Sequence, residues 1–226
     1  MSLINLSPPA RAWESRKLFL SPKALSIGIN KNNKNSSILK FVYTGNVTLG
    51  RWETLGAIGD VINTLNDDVV KAKLYIYSTN ILTKRMKRKL NSSNEVKFMG
   101  AVSPQEVKEI QQEADVVIHA ESFKLRNRLK TRLSFSTKLV DYFQNGNCIL
   151  AVGCDKANSI DYLKKNDAAI IVTDLEKLQG SIKKIIESPI VINEYRKKAL
   201  KCAINNHNIN EIHKLLNEDF GSLITE

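Results

Sequence analysis

The sequence predicts an α/β fold: an open parallel sheet of about six strands with helices on both faces and further helices at the C-terminal end. Three features carry that expectation. From Ile38 onward, short β-rich apolar runs alternate with longer amphipathic segments. Two of the runs, Ala114-Asp-Val-Val-Ile-His119 and Cys148-Ile-Leu-Ala-Val152, are apolar almost throughout, as strands covered on both faces must be. Ser103-Pro104 followed by Glu106 is a capping box with proline at the first helical position, which marks a helix start between two such runs.

In chain order the expected strands are Leu39 to Thr44, Lys73 to Tyr77, Val96 to Met99, Asp115 to His119, Cys148 to Val152 and Ala169 to Val172. Helical periodicity fills the gaps at about Trp52 to Leu65, Thr83 to Leu90, Pro104 to Glu113, Thr137 to Gln144, Ser159 to Lys164 and Leu175 to Glu187. After Ile190 the pattern stays helical, with Ile209, Ile212, Leu215, Leu216 and Phe220 at helix spacing. This is the layout of a Rossmann-like sheet. Residues 1–37 differ: Pro8, Pro9 and Pro22 punctuate them, and Lys31 to Ser37 is polar and Asn-rich, so they read as a linker or interdomain segment ahead of a domain over 38–226.

The chain of 226 residues is 42% hydrophobic and 25% charged, which excludes a disordered tail or a fibre. Its formal net charge of +11 directs attention to anionic partners: phosphates, nucleic acid or an acidic membrane. Three irregularly placed cysteines, Cys148, Cys154 and Cys202, do not form a disulfide framework or a Cys-rich zinc site and suggest a reducing compartment. Cys148 and Cys154 flank an apolar run and read as core. With no secretion signal and no membrane-spanning run, the expected location is cytoplasmic. The histidines, His119, His207 and His213, lie far apart without metal-ligand spacing, so no metal is expected, and His119 reads as structural.

Ligands of such sheets bind where strands end and helices begin. After the first strand, Thr44-Gly45-Asn46-Val47-Thr48-Leu49-Gly50-Arg51 is a glycine-containing turn with a cation at the helix entrance, suited to phosphate, although such turns more often carry glycine for geometry alone. It matches neither a Walker loop nor a dinucleotide fingerprint. After the fourth strand, Glu121 precedes a run from Lys124 to Arg132 with cations at every second position, which would share one face if extended. Glu121 is placed to meet a substrate hydroxyl; the plainer reading is a salt-bridged residue in a solvated loop. Ser134-Phe-Ser136-Thr137-Lys138-Leu-Val-Asp141 is the richest stretch. Ser136 or Thr137 can cap a helix whose free amides, with Lys138, suit a phosphate, and Asp141 one turn on can accept ribose hydroxyls. Its plainer reading is a capped helix with exposed Lys138 and Asp141.

Taken in order, Phe41-Val-Tyr-Thr-Gly45-Asn, Val96-Lys-Phe-Met-Gly100, Ala114 to Glu121-Ser-Phe, and Ser134 to Lys138 with Asp141-Tyr and Gly146 resemble the C-terminal domain of GT-B glycosyltransferases of the group 1 type, over about Ile38 to Phe220. The resemblance implies a nucleotide-sugar donor, UDP- or GDP-linked, with no other cofactor. It implies that Gly45, Arg51, Ser134, Ser136, Thr137 and Lys138 serve the diphosphate, that Asp141 holds the ribose where many relatives have Glu, and that Glu121 faces the donor sugar as the candidate catalytic residue. Many retaining members space two glutamates by eight residues, whereas Glu121 and Asp141 stand 20 positions apart around a basic insertion. The segment Ser15 to Asn30, with Pro22 and Ile27-Gly-Ile-Asn30, resembles the interdomain crossing. On this reading the chain is a donor-binding half without its N-terminal acceptor domain, inactive by itself. Its expected role is transfer of a hexose-type sugar to a saccharide or lipid-linked acceptor in cell-surface polysaccharide synthesis. A peripheral contact at the inner face of the membrane is compatible with this; the oligomeric state is open.

Two other classes compete. A GT-B-like nucleotide-sugar epimerase shares the architecture but needs further acid/base residues. A basic module for nucleic acid or anionic membrane would use Lys84-Arg85-Met-Lys87-Arg88-Lys89 and the Lys124 to Arg132 run, yet neither cluster carries interleaved aromatics for base stacking, so nucleic acid is not expected.

Overall fold

A computed structural model of the protein describes residues 38–131 and 134–207. The interdomain segment expected over 1–37 and the helix expected from Ile209 to Phe220 lie outside the described residues. Six parallel strands, β1 (Leu39–Thr44), β2 (Ala72–Tyr77), β3 (Val96–Gly100), β4 (Val116–Ala120), β5 (Cys148–Val152) and β6 (Ile170–Val172), form one sheet in the order β3-β2-β1-β4-β5-β6. The connecting helices are α1 (Arg51–Leu65), α2 (Lys84–Leu90), α3 (Pro104–Glu113), α4 (Leu125–Thr131), α5 (Lys138–Gln144), α6 (Asn158–Lys165), α7 (Leu178–Glu187) and α8 (Pro189–Asn206), with a 3-10 turn at Leu175–Lys177. This is the expected Rossmann-like sheet.

Alternation along the strands divides the core in two. Phe41, Tyr43, Leu74, Ile76, Val116, Ile118 and Leu150 pack with Leu55, Ile58 and Ile62 of α1 and Ile182 and Ile185 of α7. Val42, Val117, Ile149 and Ala151 pack on the opposite face with Leu139, Tyr142 and Phe143 of α5 and Ile160 and Leu163 of α6. Each of these side chains is at most a few per cent exposed, so covering both faces is the dominant stabilising contribution. All three cysteines are free and buried, as expected of Cys148 and Cys154. The capping box forms as the sequence predicts: the Glu106 amide donates to Ser103 Oγ and the Ser103 amide to Glu106 Oε2.

One segment departs from expectation. Three of the alternating cations after β4, Arg126, Arg128 and Lys130, lie in α4 rather than on an extended comb, so they spread around a helix. The amides of Asn127 and Arg128 both donate to the Lys124 carbonyl, and Ser122 Oγ accepts from the Lys124 amide. Lysine, arginine and leucine are good helix formers, and Leu125 and Leu129 carried the helical spacing that the charge alternation obscured.

Helix α1 begins at Gly50, whose φ of +80° follows Leu49 at +54°. A Cβ on Gly50 would stand 2.4 Å from both Ser122 Oγ and Asn127 Nδ2, so glycine there admits both a left-handed turn and the close docking of the α4 connection. Gly50→Ala is expected to lower the unfolding free energy by about 1–3 kcal/mol, read as a lower urea midpoint at unchanged m-value.

Candidate functional site

The strand order reverses direction between β1 and β4. The connection after β1 turns onto the α1 face, whereas the chain after β4 proceeds to α5 on the other, so the two loops diverge and leave a crevice at the carboxyl edge. A cleft of about 190 Å³ occupies it, lined by Asn46, Arg51, His119, Ala120, Glu121 and Ser134 through Lys138. Of the residues singled out in the sequence, Arg51, Glu121, Ser134, Ser136, Thr137 and Lys138 therefore converge. Gly45 and Asp141 do not line the cleft.

Glu121 is anchored from both sides: its amide donates to the Val152 carbonyl, and its carbonyl accepts from Thr54 Oγ1 at 2.8 Å. One guanidinium nitrogen of Arg51 donates to both Glu121 oxygens, at 2.9 and 3.1 Å. The Arg51 and Glu121 side chains are 16% and 7% exposed, so this is a pair inside the crevice, not the salt bridge of a solvated loop. Desolvation of such a pair offsets much of its attraction. The remaining guanidinium donors stay available, because arginine carries five.

Lys138 is equally constrained. Its Nζ donates to the Thr44 carbonyl at 2.7 Å and stands 4.3 Å from the centroid of the Tyr43 ring. Gly45, at φ +124°, sits beneath it: a Cβ there would meet Nζ at 2.7 Å. Gly45 thus supports Lys138 instead of presenting an amide, since its own N–H donates to the Tyr77 carbonyl. Other amides of that turn are also engaged: Val47 donates to Asn80 Oδ1, Thr48 to Asn46 Oδ1, Arg51 to the Thr48 carbonyl and Trp52 to that of Val47. The amide cradle expected after β1 is therefore largely replaced by two cationic side chains. Nor is α5 capped as expected. Thr137 has αR dihedrals and makes no side-chain cap bond, because the cap position needs an extended backbone to aim its oxygen at the following amides.

Burial and the Arg51 charge push the Lys138 ammonium down to about 7, while the Glu121 carboxylate acts in the opposite direction. His119, 1% exposed, donates to or accepts from Ser159 Oγ at 2.8 Å and lies 3.9 Å from Glu121. Burial, then Lys138 and Arg51, hold its imidazolium down to about 3, so it is neutral at physiological pH. The expectation of a structural histidine fits that bond, yet the ring also forms part of the cleft wall; its place at the end of β4, two residues before Glu121, was the available signal. Asn46 was likewise passed over, and adjacency to Gly45 was its only mark. Asp141 lies on the first turn of α5, where burial raises its pKa and Lys108 opposes the rise. Among the described residues, no group of three His, Cys, Asp or Glu side chains is arranged to hold a metal ion, and no helix is long and apolar enough to cross a membrane.

Two cations and one carboxylate around a crevice at the switch point of an α/β sheet are chemically suited to an anionic ligand. No family model matches the sequence, and no curated protein matches it. Solved structures do. The chain superposes on WaaG, a glycosyltransferase involved in lipopolysaccharide biosynthesis, with TM-score 0.58 and 14% identity over 88% of this chain and 50% of that one. It matches the α,α-trehalose 6-phosphate synthase of Burkholderia multivorans with TM-score 0.61 and 9% identity over 89% and 47%. It matches S. aureus TarM, solved with UDP, with TM-score 0.59 and 14% identity over 82% and 36%. The chain thus spans half or less of the length of these structures. They are GT-B glycosyltransferases, and the fold shared here is that of one Rossmann-like half, consistent with the C-terminal half that the sequence resembles.

The opposed effects on Lys138 are directly measurable. Its Cε and Hε resonances are expected to titrate with a midpoint near pH 7, and Glu121→Gln is expected to move that midpoint lower by removing the charge that favours the ammonium. Because the native pKa lies below the unfolded value near 10.5, this group's contribution to stability rises with pH between about 7 and 10.5.

Proposed function

We propose that the chain is the nucleotide-sugar-binding domain of a glycosyltransferase that transfers a hexose-type sugar to a saccharide or lipid-linked acceptor, in the synthesis of a cell-surface polysaccharide. The observation that supports this best is the joining of Arg51, Lys138 and Glu121 in one crevice at the switch point of a GT-B-type half. A diphosphate needs two cations, and its sugar needs a fixed hydrogen-bond acceptor; the crevice supplies these side by side. The donor is UDP- or GDP-linked. In this reading Arg51 takes the phosphates with its free donors and relaxes its hold on Glu121, whose oxygens then accept the donor sugar's hydroxyls. Ser134, Ser136 and Thr137 border the diphosphate, and Asp141, a turn beyond Lys138, reaches the ribose.

The chemistry is substitution at the anomeric carbon. The bond to the nucleoside diphosphate breaks as the acceptor oxygen forms its own, and negative charge grows on the departing phosphate oxygen. Arg51 and Lys138 face that charge from a partly desolvated wall, where each is worth more than in water. A cleft of about 190 Å³ is smaller than a ligand of this size requires, so in this reading a separate acceptor domain completes the site. The isolated chain binds donor and turns over slowly or not at all.

Calorimetric titration with UDP and GDP tests the reading. One nucleotide is expected to bind, with Lys138→Ala weakening it at least tenfold, about 1.4 kcal/mol, and Asp141→Ala weakening it by loss of the ribose contact. A short DNA duplex binding with a steep salt slope, with neither nucleotide bound, would return the basic-module alternative. Glu121→Gln is expected to leave UDP or GDP affinity within about threefold while abolishing the extra affinity of UDP-glucose or GDP-mannose over the matching nucleotide, a fold-change that separates sugar from phosphate contacts. Robust glycosyl transfer by the chain alone would contradict the half-enzyme reading.

A further inference from the structure

Away from the cleft, α2 carries the densest run of charge in the sequence. No acidic residue stands between Asp68 and Glu95, and the helix reads Lys84-Arg85-Met86-Lys87-Arg88-Lys89-Leu90. Met86 and Leu90 form its buried stripe. At about 100° per residue, Lys84, Arg85, Lys87 and Arg88 span an arc of about 160° centred opposite that stripe, and all four are exposed.

The neighbouring cations are already engaged. Arg85, Arg88 and Lys89 line a groove of about 470 Å³ with Trp52, Glu53 and Lys124, where the two basic clusters of the sequence meet. There Lys124 pairs with Glu53, Lys89 reaches Asp60 outside the lining, and Arg85 lies over the Trp52 ring. Lys84, Lys87 and Arg88, by contrast, make no ion pair and no side-chain hydrogen bond among the described residues. Local stability does not call for this pattern. Lys87 and Arg88 suit the negative end of the helix, but Lys84 and Arg85 occupy its positive end, where a carboxylate is favoured and a cation is not. Lys84 also repels Lys87 and Arg88, three and four positions on. The arc holds its charge at a cost to α2 that an apposed anionic surface would relieve.

One apolar group stands beside the arc. Thr83 caps α2 by accepting from the Met86 amide, and ahead of that cap Leu82 turns inward at 8% exposure while Ile81 turns outward at 97%. Single exposed apolar side chains are common. This one stands three residues from Lys84, at the head of the cationic helix.

We infer that Ile81 and the exposed arc of α2 dock the protein onto an anionic lipid bilayer. The inference is independent of the donor reading. A bilayer supplies both partners that this surface lacks: negative headgroups for Lys84, Lys87 and Arg88, and an apolar boundary for Ile81. Nucleic acid supplies the charge but no apolar layer, and α2 has no aromatic side chain to stack on a base.

Cosedimentation of the full chain with lipid vesicles tests the inference. Binding is expected to phosphatidylglycerol mixed with phosphatidylcholine, not to phosphatidylcholine alone, and is expected to weaken as salt rises. Lys84→Gln with Arg88→Gln should lower partitioning by about tenfold or more. Lys164→Gln with Lys201→Gln removes the same charge from exposed positions of α6 and α8 and should change it by less than about twofold. Ile81→Ser, at constant charge, should lower it by about threefold or more. All three variants are expected to keep the parent melting profile. Equal losses for the two charge pairs, or undiminished binding by Ile81→Ser, would overturn the inference. A short DNA duplex bound more tightly than the vesicles would also overturn it and favour the nucleic-acid module. Vesicle binding without UDP or GDP binding would uphold the inference and strike the donor reading; nucleotide binding without vesicle binding would do the reverse.

Discussion

Everything at the carboxyl edge depends on one constraint: a parallel sheet must be covered on both faces, so its two halves wind in opposite directions from a shared centre. Here that centre is the β1–β4 pair, held by the register of Phe41 with Val116 and Val42 with Val117. The chain leaves β1 towards the α1 face and proceeds from β4 to the α5 face. No backbone fills the gap between them, and side chains from both connections must line it. The cleft is thus a by-product of covering the sheet, and its chemistry is set by whichever residues stand first beyond each strand.

Those residues carry charge into a place where charge is expensive. Arg51 and Glu121 lie together in the crevice, Lys138 stands over Tyr43 and against the Thr44 carbonyl, and His119 is held neutral below them. Two cations against one carboxylate leave the wall deficient in negative charge. Burial first, and then the Arg51 charge, push Lys138 down to about 7, and an entering dianion would favour its charged form. The backbone takes little part. Because the amides of the β1 turn are largely engaged with Tyr77, Asn80, Asn46 and the turn's own carbonyls, the polar groups facing the cleft are mainly side chains whose protonation and pairing can change.

The strands, most helices and the capping box were legible because each depends on local periodicity: alternation for a strand, the 3.6-residue repeat for a helix, and Ser103 with Glu106 for a cap. Helix α4 was not, because alternating charge from Lys124 onward imitated an extended face while Leu125 and Leu129 kept the helical spacing. In the site, the convergence of Arg51, Glu121 and Lys138 followed from their places after β1, after β4 and at the start of α5. Their pairing did not, nor did the role of Gly45 as a floor for Lys138, since both depend on distances between residues 70 to 94 positions apart.

The sequence by itself determined the α/β class, the order of elements and which residues follow each strand, since these are consequences of local pattern. Tertiary structure alone decided that Arg51 binds Glu121, that Lys138 is held against the β1 terminus, and that the clusters around Arg85 and Lys124 become one groove. The physical reason is that charge interactions fall off over a few ångströms and depend on burial, and neither separation nor burial is encoded in linear spacing.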